Sequence, residues 1–117
     1  PQDDVAKLLK NTQHARAEAA RLYPEASKRL ELALAKKGDR EAAEAACHSV
    51  FDITRKSHNA KPVLAAAGGL EVSLSTLKQT LSVKKRNPEE KRVTMACMQA
   101  LADMSLYQRD VQDEAGR

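Results

Sequence analysis

The chain has 117 residues, 42% of them hydrophobic, 3% aromatic and 31% charged, with a formal net charge of +4. That length supports one domain with one core. The dominance of alanine, leucine, lysine and glutamate, with Tyr23, Phe51 and Tyr107 as the few aromatics, points to an all-α fold and gives no expectation of a sheet. Eleven Lys and Arg stand against nine Asp and Glu in residues 1 to 59, and nine against seven in residues 60 to 117, so the mild basicity is spread and forms no polybasic tail.

Taken in order, Val5, Leu8, Thr12, Ala15, Ala19 and Leu22 alternate at steps of three and four, which predicts a helix over residues 3 to 22. Pro24 interrupts it. A second helix over 25 to 37 carries Leu30 and Leu34 and is stopped by Gly38, which accepts the left-handed backbone that ends a helix. Asp39 then caps a helix over 39 to 56. Asn59 is placed to cap a short segment, 59 to 67, with Pro62 in its first turn and Gly68 at its end. The next helix, 70 to 85, is read from Leu70, Leu74, Leu77 and Leu81, which share one face. In "RNPEEKR", Asn87 caps, Pro88 opens the helix and Glu90 can bond back to the cap, so a helix covers 88 to 105, with a last one over 107 to 115.

Cys47 and Cys97 lie in the apolar stripes of separate helices without C-x-x-C spacing. The expectation is two buried thiols in a reducing compartment. The longest near-apolar run, Val63 to Leu70, is too short for a membrane span or a signal sequence, and an intracellular, cytoplasmic location is expected, with nuclear or cytoskeletal association as a variant.

A shift of 51 residues lays "AACHSVFDIT" on "ACMQALADMS", pairing Asp52 with Asp103 and Ile53 with Met104. A shift of 48 lays "VLAAAG" on "VQDEAG". Periods near fifty in a helical chain signal stacked repeats, in which each unit covers the apolar face of its neighbour. A two-turn helix ending in Gly-Gly, a leucine-striped helix set sharply against it and a longer capped helix ending "SVFDIT" or "ALADMS" together resemble an armadillo repeat. The resemblance covers Asp39 to Gly116 and extends to residues 1 to 37 only as a degenerate flanking repeat. It implies a right-handed α-solenoid of about two to two and a half repeats: residues 39 to 85 as one unit, 88 to 117 as a partial one, the whole forming a single domain of a longer array. It also implies that the third helices line a groove for a peptide or partner protein. Asp52 and Asp103 then fall where the family often has a groove asparagine, and His48 and Gln99 where it often has a tryptophan.

The expected partner-binding face therefore comprises Glu41, Glu44, His48, Asp52, Arg92, Gln99 and Asp103, without catalytic residues, metal or cofactor. Glu44, His48 and Asp52 follow one another at steps of four but lack a zinc-protease signature or a neighbour to orient them as ligands, so a solvated face is the default reading. Met95, Met98 and Met104 with Cys97 read as core, because Met98 and Met104 align with Cys47 and Ile53. A second function class rests on the basic patch Lys84, Lys85, Arg86, Lys91 and Arg92, a possible adaptor surface for nucleic acid or tubulin, although no aromatics interleave with it for stacking. Exposed repeat ends would also allow self-association.

Overall fold

The computed structural model describes the backbone of residues 2–83 and 87–115 and the side chains of residues 12–83 and 87–105. Among these the chain is helical without strands: α1 (Gln2–Leu22), α2 (Pro24–Ala35), α3 (Arg40–Thr54), α4 (Ala60–Leu64), a wide π-helical turn (Ala65–Gly69), α5 (Leu70–Leu81) and α6 (Pro88–Ala115).

The boundary signals act as their chemistry requires. Asp39 accepts a hydrogen bond from the Ala42 amide at 3.1 Å, and Asn87 accepts one from Glu90 at 2.8 Å, each satisfying an orphan donor of a first helical turn. Gly38 has φ +92 and Gly68 has φ +127, the left-handed region that glycine enters without steric cost. Asn59 departs from expectation, since it has helical dihedrals and makes no capping hydrogen bond through its side chain. Glu90 also does not reach back to its cap. Its carboxylate lies 3.7 Å from the Arg40 guanidinium of α3.

The corner between α4 and α5 is tighter than a plain loop. Gly68 breaks the helical path, while Gly69 stays helical and sits so close beneath α4 that a Cβ on it would lie 2.7 Å from the Leu64 carbonyl oxygen and 3.0 Å from Met104 Sδ. Only a residue without a side chain fits there.

Two expected boundaries are corrected. Residues 88–105 and 107–115 form one continuous helix, α6, in keeping with the absence of glycine and proline from "ADMSLYQRD". "VQDEA" therefore continues α6 instead of repeating the short α4, and Gly116 lies outside the described residues. The leucine stripe of α5 is likewise not its core face: Val72, Ser73, Thr76 and Thr80 are buried, whereas Leu74 is 54% and Leu81 65% exposed. Small side chains let α5 sit close to its neighbours, and the leucines lie at the margin.

The core is formed mainly by α3 and α6 with Leu30 of α2 and Leu64 of α4. These two helices run side by side in the same direction, as ascending contacts prove: Arg40 meets Glu90 at 3.7 Å, Glu44 meets Arg92 at 3.6 Å, Cys47 is bonded to Cys97, and Thr54 Oγ1 donates to Asp103 Oδ2 at 2.6 Å. The buried residues Ala43, Ala46, Cys47, Val50 and Thr54 recur in α6 as Val93, Ala96, Cys97, Ala100 and Met104, each at the separation of 50 that parts the two cysteines. Burial alone does not set the register, because at a separation of 51 Ala42, Ala43, Ala46 and Ser49 also meet the buried Val93, Thr94, Cys97 and Ala100. Met98 is 55% exposed, against the expectation that it is core, and Met95 61%, while Met104 is buried as expected.

The cysteines are buried as expected but are not free thiols. They form a disulfide between α3 and α6, with Cα atoms 5.0 Å apart, and the expectation of a reducing compartment loses the support it drew from free thiols. No described helix is long and apolar enough to cross a membrane.

Candidate functional site

Parallel alignment of α3 and α6 leaves an open groove of about 350 Å³ along their solvent side, walled by Glu44 and His48 of α3 and by Lys91, Arg92, Met95, Ala96 and Gln99 of α6. Helical spacing explains the set. Glu44 and His48 are one turn apart, while the α6 wall is two adjacent rows, Lys91, Met95 and Gln99 beside Arg92 and Ala96.

The electrostatics centre on Glu44. One of its carboxylate oxygens, Oε1, lies 3.6 Å from Arg92 Nε and 3.7 Å from His48 Nε2, and its side chain is 22% exposed, so it is hemmed in by donors from both walls. Arg92 is more open, at 62%. No described carboxylate pairs with Lys91. Met95 lies exposed among these polar groups, a large apolar surface left facing water.

Of the seven residues expected to face a partner, Glu44, His48, Arg92 and Gln99 are brought together in this groove. Glu41 is exposed on α3 but does not line the groove, and Asp52 is exposed and 3.8 Å from Arg55 of its own helix turn. Asp103 is committed internally: Thr54 donates to one oxygen at 2.6 Å and Lys61 Nζ stands 3.3 Å from the other, with the carboxylate side chain only 16% exposed. It ties α3, α4 and α6 to one another. Of the basic patch, Lys91 and Arg92 stand in the groove wall, while Lys84, Lys85 and Arg86 lie outside the described residues.

Met95 is the groove residue that sequence reasoning assigned elsewhere. Its signal was present, since Lys91, Met95 and Gln99 share a stripe distinct from Val93, Cys97, Ala100 and Met104. A smaller cavity of about 100 Å³ lies between the Gly38 turn and α5, where Arg40 donates to Gln79 Oε1 at 3.3 Å and to the Gly38 carbonyl at 3.4 Å. It is an internal seam. No group of three His, Cys, Asp or Glu side chains among the described residues is arranged to hold a metal ion.

No known protein family, curated protein or solved structure matches the chain.

Proposed function

We propose that the chain is a non-catalytic protein-binding module, an armadillo-like right-handed stack of about two helical repeats that holds a partner segment in the groove between α3 and α6. The observation that carries this reading is the side-by-side, same-direction packing of α3 and α6, which a stack of repeated units requires and which leaves an open trough with an exposed methionine in its wall. Shape and charge do the work. The disulfide between α3 and α6 ties the two walls together, so little ordering entropy is lost on binding.

Photo-crosslinking amino acids at Met95 and His48, with controls at Lys28 and Glu31 on the exposed side of α2, test this in lysate of the source cell. The expected result is a shared adduct at both groove positions that is missing from the controls. Adducts of equal pattern at all four positions, or none at the groove, would overturn it.

A further inference from the structure

The groove is unevenly compensated, and that imbalance defines an occupant. Glu44 is already flanked by Arg92 and His48, whereas Lys91 has no described carboxylate partner and Arg92 remains mostly in water. The unmet charge of the groove is positive. Beside the cations of Lys91 and Arg92, Met95 offers an apolar surface, and Gln99 one turn further supplies an amide that both donates and accepts.

Spacing converts this into a sequence preference. Lys91 and Met95 are four helical residues apart, about 6 Å along the axis. In an extended peptide, side chains two residues apart lie on one face at about 6.6 Å. An acidic side chain and an aliphatic one at positions i and i+2 therefore reach Lys91 and Met95 together, with the intervening residue pointing away.

Resting on the reading of the groove as a protein-binding site, we propose that its occupant is an extended acidic peptide segment of the form acidic-x-aliphatic, its carboxylate set against Lys91 and Arg92 and its aliphatic side chain on Met95. A phosphate backbone would also satisfy the cations. The observations favour peptide over nucleic acid because no aromatic side chain lines the groove to stack a base, and a methionine is exposed there instead.

The test uses the full chain labelled with 13C at the methionine methyls, which gives Met95 as the reporter, Met98 as an exposed site outside the groove and Met104 as a buried reference. The probes are a blocked peptide Ser-Glu-Ser-Leu-Ser-Glu-Ser, its lysine counterpart in which both glutamates are replaced, and an oligo-dT of about fifteen nucleotides. The glutamate peptide is expected to shift Met95 with saturation while leaving Met98 and Met104 in place, and the lysine peptide to bind at least tenfold more weakly. Lys91→Glu, at an exposed position, should keep the native melting curve and lose the glutamate peptide by at least tenfold. Equal binding of both peptides, movement of Met98 in place of Met95, or binding of oligo-dT alone would overturn the proposal. If crosslinks at Met95 and His48 capture a partner while the glutamate peptide fails, the groove stands as a protein site and only the acidic occupant falls; if both fail, the groove reading falls with it.

Discussion

Replacing Gly69 by valine probes the tightest approach in the fold. Any Cβ at this position meets the Leu64 carbonyl oxygen at 2.7 Å and Met104 Sδ at 3.0 Å. The methionine tip can move; the carbonyl belongs to the backbone of the turn and cannot yield without opening the corner. Overpacking of this kind costs about 1–3 kcal/mol. Valine recovers only about 0.3 kcal/mol through its better helix propensity, since the φ of Gly69 is already helical. The net loss is about 2 kcal/mol against a domain stability of about 5–15 kcal/mol. At this size it should lower the melting temperature by roughly 10 °C. Thermal melts followed by circular dichroism at 222 nm, with the disulfide intact, measure it. Gly38→Ala is the control: its φ of +92 carries strain, but the nearest atom to its new Cβ is Gln79 Nε2 at 4.0 Å, so it lacks the clash and should lose less. A Gly69→Val protein melting within a degree or two of the parent would show that α4 and α5 meet in a loose loop and would refute the close corner.

Asp103→Ala should destabilise by about 2 kcal/mol in urea denaturation, because it strands the Lys61 ammonium, which is 12% exposed, and removes the acceptor of Thr54. Asp52→Ala, at a carboxylate 64% exposed, should change the midpoint by no more than about 0.5 kcal/mol; equal effects at the two aspartates would contradict their different surroundings. Reducing the Cys47–Cys97 bond, which closes a loop with a separation of 50, should lower unfolding free energy by about 4 kcal/mol in the chain-entropy account. Denaturation with and without dithiothreitol reads this directly, and coincident curves would argue against the bond. Leu81→Ser, at 65% exposure, should leave stability within about 0.5 kcal/mol, whereas Leu30→Ala, at 1%, should cost about 2–5 kcal/mol; a large loss at Leu81 would mean that α5 faces the other way.

The signals that were legible are those with a local cause. Asp39, Asn87, Gly38 and Gly68 act through their own backbone or the next turn, so their roles could be read without knowing what lies across the core. The α5 face could not be read this way. Its sequence carries two stripes at helical spacing, Leu70, Leu74, Leu77 and Leu81 beside Val72, Ser73, Thr76 and Thr80, and hydropathy prefers the first while close approach to α3 and α6 selects the second. Ser73 illustrates the closeness: its hydroxyl lies 3.8 Å from Cys47 Sγ.

The groove was half legible for a related reason. Glu44, His48, Arg92 and Gln99 were picked out because polar residues of α3 and α6 fall on one side, but Glu41, Asp52 and Asp103, chosen with them, do not line the groove. Chemical likeness paired Asp52 with Asp103, but Asp52 is exposed beside Arg55 whereas Asp103 is tied to Thr54 and Lys61, a difference set by what lies across the core. The disulfide was missed because pairing depends on tertiary proximity, and a separation of 50 carries no local trace of it.

Same-direction packing of α3 and α6 has a kinetic consequence. Two parallel helices cannot be joined by a tight turn, so the chain must travel out and back through residues 55 to 87 before the pair can meet. The closure entropy of that excursion is spent before the core rewards it. The glycine corner shortens the path by folding the return leg on itself, and refolding should therefore be slower in corner variants than their loss of equilibrium stability alone accounts for.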